Sequence, residues 1–229
     1  MPSRPRRAAF SSLLLLLLVG APGQARGEES QPASPDVTAV QELLHGAKGR
    51  REVWTQAPVL VVLESVLHYT GDAMSSGYVA TDERLTDEEL ARLASDLTGA
   101  LNVMTGGTFK AFSAVRRESV PTGQIARVLR KGEIVVGRYR GVRAMAKTIG
   151  YGGRTTRDDG TITAAAIILD RDFDRDDALR RLLRTHELGH ALGYNHVESR
   201  ASVMNPQVGS GVTDLDRAAI RLAFQESAE

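Results

Sequence analysis

The stretch HELGHALGYNH, residues 186–196, holds three of the five histidines in a chain of 229 residues. It ends an amphipathic pattern that begins near Asp174, and His186 and His190 continue the apolar stripe of that pattern. Side chains one helical turn apart place their Cβ atoms roughly 5–6 Å from each other, so two imidazoles can share one small cation. The pattern therefore predicts a helix that ends at Gly193 and carries two metal-binding histidines on its inward side.

Three more features extend this pattern. Glu187 follows the first histidine, rotated by about 100° around the helix axis, where a carboxylate can reach a water molecule on the metal without having to bind the metal. Gly193 can take the left-handed conformation that reverses the chain, so the next turn brings His196 back towards the other histidines. Three imidazoles leave one position of a tetrahedral zinc ion open, which is typical of a catalytic site.

These residues resemble a known family. His-Glu-x-x-His-x-x-Gly-x-x-His is the zinc signature of the metzincin endopeptidases, and SVMNP at 202–206 resembles their Met-turn. Within that clan the chain is most similar to matrixins, because its third ligand is histidine, a proline follows the Met-turn methionine, and 212–224 resembles their closing helix. The resemblance is strongest over 161–224, and short bacterial-type secreted relatives are the nearest comparison.

The resemblance implies an α+β catalytic domain of the zincin type, with a mixed twisted sheet, an active-site helix, a second long helix and a C-terminal helix. It makes His186, His190 and His196 the zinc ligands, Glu187 the general base, and Met204 an apolar floor beneath the metal. The implied function is that of a secreted zinc-dependent endopeptidase, which hydrolyses peptide bonds with a zinc-activated water molecule. The alternative is an exported zinc-binding module of the same fold that is catalytically inactive.

The resemblance also implies where a substrate binds. It makes 161–169 the edge strand above the cleft, so an extended peptide would add to it as a further strand. Residues 205–211 would form the wall of a pocket for one substrate side chain. Val208 stands where matrixins usually have tyrosine, and Pro206 stands where astacin-like relatives have tyrosine, so the preference of this pocket is left open.

The rest of the chain predicts further helices and strands. APVLVVLESVL (57–67) is rich in β-branched residues and predicts a buried strand. Thr86, followed three residues later by Glu89, is a capping box ahead of a leucine-striped helix. Other elements are predicted from turn signals and alternation: strands at 108–116, 133–140 and 161–169, a loop at the glycines of GYGG (150–153), and a closing helix capped by Thr213.

The first 51 residues predict a leader and a connecting segment. Three arginines precede an apolar run at about 8–19, and small residues follow near Ala25, so 1–25 is predicted to be a signal peptide, with an uncleaved anchor as the alternative. Residues 26–51 are predicted to be a linker or short pro-segment that contains one short helix. The catalytic domain would then cover 52–229, and the protein would be secreted or periplasmic.

Charge and composition narrow the partners. Removal of 1–25 takes away three arginines and no acidic residue, so the formal net charge falls from +1 to −2 and nothing suggests nucleic acid as a partner. We expect a protein or peptide substrate, no membrane contact after signal cleavage, and a monomer. The absence of cysteine excludes a thiolate–zinc site and a cysteine nucleophile.

Other candidate ligands are weaker. The run DRDFDRDDA (170–178) could hold calcium, but its interleaved arginines favour a solvated stretch that caps the next helix, because calcium prefers clustered oxygens without adjacent cations. His45 and His68 have no partner at ligand spacing, so they are predicted to be surface or packing residues. Arg50-Arg51 is either a processing site or, as we favour, a solvated basic turn.

Overall fold

The computed structural model describes residues 36–45, 49–69, 78–146, 148–173, 176–207 and 210–225. The predicted signal peptide, the first ten residues of the predicted linker and Val208 of the predicted pocket wall lie outside these ranges. In the part of the chain that is described, no helix has the length and apolar content needed to cross a membrane.

The described residues form a mixed α+β fold. The elements, in chain order, are α1 (Val37–His45), β1 (Val59–Leu63), β2 (Ser65–Tyr69), β3 (Tyr78–Arg84), α2 (Asp87–Met104), β4 (Ala114–Glu118), β5 (Glu133–Arg140), α3 (Val142–Ala146), β6 (Gly150–Thr156), β7 (Ile162–Asp170), α4 (Asp177–Leu192), α5 (Asp214–Ile220) and a π-helical turn (Arg221–Gln225). The predicted active-site, second long and C-terminal helices correspond to α4, α2 and α5.

All seven strands belong to one mixed sheet. β1 and β2 follow one another across Glu64, and both pair in parallel with β5. On the other side of these two strands lie β4, parallel to β1, and β3, antiparallel to β2. β5 also pairs in parallel with β7, which in turn pairs antiparallel with β6. β6 is therefore the edge strand at the far side of the sheet.

The two faces of the sheet pack against different parts of the chain. One face carries Leu60, Ile134 and Ile167 into the main core, which it shares with α1, α2, α4 and α5. The opposite face is covered by residues 120–129, which bury a smaller apolar cluster that includes Val135. Because full burial of each large aliphatic side chain contributes roughly 1.5–3 kcal/mol, the main core supplies a rigid base for α4.

Helix α2 confirms its sequence prediction. The Thr86 hydroxyl accepts a hydrogen bond from the Glu89 backbone N–H (3.2 Å), and the Glu89 carboxylate accepts one from the Thr86 N–H (2.8 Å). These two bonds satisfy N–H groups that have no partner inside the helix. The predicted leucine stripe is buried and faces the main core.

Helix α1 is packed against the rest of the fold. It lies within the segment where the sequence predicts one short helix, and its apolar side, which includes Val40 and Leu43, is buried in the main core next to α5. Its N-terminus is held by an ion pair between Asp36 and Arg200 (2.7 Å). Helix α1, which lies in the predicted linker, therefore shares the main core with the rest of the fold.

Four sequence predictions differ from the structure. The single strand predicted at 57–67 is divided at Glu64 into β1 and β2. The strand predicted at 108–116 begins later, at Ala114, because Gly106 and Gly107 have positive φ angles and turn the chain after α2. The predicted loop at 150–153 is the start of strand β6. The stretch 161–169 is strand β7, as predicted, but it is not an edge strand, since Ile167 pairs with Val136 on one side and with Gly152 on the other.

Candidate metal centre

Helix α4 begins and ends as its sequence predicts. The Asp176 side chain accepts hydrogen bonds from the backbone N–H groups of Ala178 and Leu179, both at 2.9 Å. At the other end Gly193 adopts the left-handed conformation (φ 116°). A side chain at this position would also overlap the Glu52 carbonyl oxygen. Glycine is therefore required at this position by both the backbone conformation and the lack of space, and the chain reverses at Gly193, three residues after His190.

This reversal brings the three predicted histidine ligands together. The Nε2 atoms of His186 and His190 are 3.2 Å apart, those of His186 and His196 are 3.2 Å apart, and those of His190 and His196 are 3.0 Å apart. Tetrahedral zinc with bonds of about 2.1 Å separates its nitrogen ligands by about 3.4 Å. The spacing of these nitrogens therefore fits a single ion, and the group could hold a metal.

The expected protonation state of these imidazoles is also compatible with binding of a cation. The Nδ1 atoms of His186 and His190 lie 2.7 Å from the Val203 carbonyl and 3.1 Å from the Tyr194 carbonyl. Carbonyls only accept hydrogen bonds, so both Nδ1 atoms carry protons. Burial lowers the pKa of His186 to about 4 and also lowers the pKa of His190 and His196. In the neutral rings of His186 and His190, Nε2 therefore carries no proton and has a free lone pair. These lone pairs point to a common position, where a cation could accept them.

The Met-turn holds the first of these imidazoles. The buried Asp216 carboxylate accepts hydrogen bonds from the Ser202 hydroxyl, from the Val203 N–H (3.0 Å) and from the Thr213 N–H (2.7 Å). These bonds fix the Val203 peptide, whose carbonyl orients His186. Sequence reasoning missed Asp216, although its place three residues after the Thr213 cap is the signal of a capping box.

Met204, which the resemblance implies to be an apolar floor beneath the metal, packs against helix α4. Its side chain is fully buried, and a Cβ atom added at Gly189 would overlap its sulfur. Gly189 precedes His190 directly, so Met204 packs against the segment of α4 that connects the two helical histidines. This close approach explains the glycine inside HELGH. Glycine in a helix costs about 1 kcal/mol relative to alanine, and here it leaves room for the Met204 side chain.

Strand β6 approaches the same helix from the other side. A Cβ atom at Gly152 would overlap the Glu187 carbonyl oxygen and lie 2.7 Å from the His190 Cβ, and one at Gly150 would lie 2.9 Å from Glu187 Oε1. The glycines of GYGG thus allow backbone-to-helix contact within a strand, which is why the predicted loop is wrong. Since β6 pairs with β7 alone, β6, and not 161–169, is the edge strand beside the candidate centre.

Glu187 lies beneath this strand. The residue is 4% exposed, and its carboxyl group lies next to the Gly152 backbone amide, which favours the charged form. The second oxygen, Oε2, has no hydrogen-bond partner among the described residues. Burial raises the pKa of Glu187 to about 8, so the group is largely protonated at neutral pH in the metal-free fold. A nearby cation would favour its charged form.

The turn that carries His196 is held by residues that sequence reasoning missed. Arg154 of β6 donates to the His190 carbonyl (2.8 Å), the Tyr194 carbonyl (3.3 Å) and Asn195 Oδ1 (3.1 Å). Its Nε atom forms an ion pair with Glu52 at 2.7 Å, and both side chains are largely buried. A cation at a helix C-terminus satisfies carbonyls that have no partner in the helix. No local motif predicts these contacts, since Glu52 and Arg154 are about 100 residues apart.

The other candidate ligands do not join this centre. In the described ranges, the three histidines are the group found with metal-ligand spacing, and neither His45 nor His68 belongs to it. Within the acidic run at 170–178, the carboxylate of Asp170 accepts hydrogen bonds from the Arg143 and Asp172 N–H groups. The predicted helix-capping role of this run is confirmed by Asp176, while 174–175 lie outside the described residues.

Comparison with known proteins adds little to this geometry. No protein-family model matches the chain, and no curated protein matches it. The crystal structure of metalloproteinase-II from Bacteroides fragilis is similar with a TM-score of 0.38 and 14% sequence identity, over 76% of this chain and 56% of that one. The chain thus spans little more than half the length of that protein. A likeness this weak carries no argument, so the function is inferred from the site itself.

Proposed function

We propose that this protein is a zinc-dependent endopeptidase of the metzincin type that hydrolyses peptide bonds in protein or peptide substrates. The observation that supports this proposal is the convergence of the Nε2 atoms of His186, His190 and His196, with a glutamate next to the first histidine. The zinc signature and the Met-turn support a matrixin-like relationship. Export through the predicted signal peptide at 1–25 belongs to the same proposal.

The protein's own residues have distinct roles in this proposal. Bound zinc supplies Lewis acidity, which acidifies a water molecule and polarises a substrate carbonyl. The Val203 and Tyr194 carbonyls keep the His186 and His190 rings oriented with Nε2 towards the ion. Glu187 accepts the proton of the attacking water and returns it to the leaving amine. Burial raises the pKa of Glu187, and a neighbouring cation would favour its charged form, which is the form that accepts a proton.

The proposed substrate path follows β6. This strand pairs with β7 along one side only, so among the described residues its other edge is available for a further strand. An extended peptide added there would place its main chain beside the Gly150–Gly153 segment, close to Glu187 and His190. This path replaces the one along 161–169, where both edges of the strand are already paired.

The proposal is tested by cleavage of an unfolded protein such as casein. The purified protein is first assayed for zinc, and cleavage is then measured with and without a chelator. We expect chelator-sensitive cleavage by the natural sequence, zinc binding without cleavage by Glu187→Gln, and loss of zinc by His190→Ala. Zinc-independent cleavage, or undiminished cleavage by Glu187→Gln, would contradict the proposed mechanism.

One observation favours the second candidate, an exported zinc-binding module that cuts nothing. Glu187 is 4% exposed and lies under the backbone of Gly150 and Gly152, so its carboxyl group is shielded from a substrate unless β6 moves. The same assay separates the two functions. Equal inactivity of the natural protein and of Glu187→Gln, with zinc present in both, would support the module.

A further inference from the structure

We propose that Asn195 is a positioning residue of the metal centre. Its side chain joins helix α1 to strand β6, and it lies in the turn that carries the third histidine. Asn195 lies between Tyr194 and His196 and is absent from the zinc signature. The inference rests on the metal site of the proposed function, but it does not depend on peptidase activity.

The first contact of Asn195 is with helix α1. Its backbone N–H donates to the Leu43 carbonyl at 2.8 Å, and its side-chain Nδ2 donates to the same oxygen at 3.2 Å. Leu43 lies two residues before the end of α1, so its carbonyl is one of the last four and has no partner within the helix. Asn195 therefore satisfies a helix end and is anchored by it, and the buried Leu43 side chain fixes this anchor in the main core.

The second contact is with strand β6. Asn195 Oδ1 accepts a hydrogen bond from Arg154 Nη2 at 3.1 Å. The guanidinium only donates and the Leu43 carbonyl only accepts, so both partners require the same orientation of the amide group. Arg154 is itself fixed by its ion pair with Glu52. The Asn195 side chain thus bridges two elements, each of which is held independently by the rest of the fold.

These contacts act on two of the three ligands. His196 follows Asn195 directly and has no helix to orient its backbone. Tyr194 precedes Asn195, and its carbonyl accepts the His190 Nδ1–H bond at 3.1 Å and a bond from Arg154. Outer-shell partners that orient metal ligands typically contribute 10-fold to 100-fold to metal affinity. We therefore expect Asn195 to contribute to the affinity of the site for zinc.

The test compares Asn195→Ala with Arg200→Gln in the full chain. Arg200 lies on the same segment and also contacts α1, through Asp36 (2.7 Å), but it touches neither the turn nor Arg154. Zinc affinity is measured by competition with a chromophoric chelator, and the melting temperature of the metal-free protein is measured in parallel. We expect zinc binding 10-fold to 100-fold weaker for Asn195→Ala and within about twofold of the natural protein for Arg200→Gln. A purely structural role of Asn195 would lower the melting temperature and leave zinc affinity unchanged.

A second variant keeps the inference testable if the alanine variant does not fold. Asn195→Asp retains an acceptor for Arg154 but loses the donor to the Leu43 carbonyl. Its zinc affinity should therefore lie between that of Asn195→Ala and that of the natural protein. Zinc affinity equal to that of the natural protein in both Asn195 variants, or in the aspartate variant when it alone folds, would overturn the inference. Zinc binding without cleavage by the natural protein would contradict only the proposed peptidase function, whereas failure to bind zinc would overturn both.

Discussion

The three histidines of the candidate metal centre are positioned in two different ways. His186 and His190 lie one turn apart on α4, where the backbone hydrogen bonds of a single helix determine their spacing. His196 lies on an irregular turn, and the contacts that hold this turn come from Leu43, Arg154 and, through Arg154, Glu52. The helical pair is therefore a local property of the sequence, whereas the third ligand depends on the complete fold. A peptide of α4 alone would carry two ligands without the third.

Gly193 joins the two regions, and its replacement should have the largest effect. Gly193→Ala places a side chain at φ 116° and against the Glu52 carbonyl oxygen. We expect the free energy of unfolding to fall by more than about 3 kcal/mol, or folding to fail, since both backbone strain and overlap act. The matched control is Gly123→Ala, where φ is 81° but no atom lies within 4 Å, so only the strain of roughly 1–2 kcal/mol applies. Similar losses in chemical denaturation would contradict the role of the overlap.

Zinc binding should stabilise the fold only when histidines from both regions are present. A ligand that binds the folded state stabilises it by about 4 kcal/mol at 1,000 times its dissociation constant. We expect zinc to raise the melting temperature of the chelator-treated protein, and His190→Ala and His196→Ala to abolish this increase, because both regions must contribute ligands. An undiminished increase in His196→Ala would show that the helical pair is sufficient and that the turn is not part of the site.

The buried carboxyl group of the helical region should produce a pH-dependent difference in stability. Burial raises the pKa of Glu187 to about 8 from its ordinary value of 4.5, so its ionisation destabilises the fold fully above pH 8 and not at all below pH 4.5. Metal-free Glu187→Gln should be more stable than the natural protein at pH 9, by at most a few kcal/mol at about 1.4 kcal/mol per pKa unit. The two should converge near pH 5. Thermal unfolding at both values measures this, and a constant difference would contradict burial as the cause.

The smallest expected effects are the changes in stability when two glycines inside helices, Gly99 and Gly189, are replaced by alanine. Gly99 of α2 has no atom within 4 Å of an added Cβ, so Gly99→Ala should stabilise the protein by about 0.5–1 kcal/mol through helix propensity. Gly189→Ala has the same propensity gain, but its Cβ would overlap the Met204 sulfur. We expect the second substitution to be destabilising and to weaken zinc binding through displacement of the Met-turn. Stabilisation by both, measured by urea unfolding, would indicate that Met204 moves freely.

The comparison also explains how much could be predicted from sequence. The capping box of α2, the ends of α4 and the strand at 133–140 follow from short-range patterns, and the structure confirms them. In each case the deciding residues lie within a few positions of one another, so the physics is local. For His196 only the direction of the turn was predictable, because Gly193 reverses the chain, whereas the bonds that hold the turn come from the distant residues Leu43 and Arg154.

The incorrect predictions depend on contacts between distant segments. Glycines usually indicate a loop, and only the proximity of α4 shows why Gly150 and Gly152 occur in a strand. The apolar run at 161–169 has the same composition whether it lies at an edge or in the middle of a sheet, and its neighbours β5 and β6 decide which. Asn195 and Arg154 have no local signature, because their roles arise from partners that the fold brings together.

The glycines of β6 also fix the register of this strand beside the candidate metal centre. A slip of one residue along β7 would bring the Tyr151 ring into a gap that accommodates only hydrogen atoms, because a one-residue slip reverses which side chains face the helix. The alignment of Gly152 with Ile167 is therefore unique, and it determines where the next residue on the same face stands. That residue is Arg154, so the two glycines determine the position at which its guanidinium contacts the C-terminal end of helix α4.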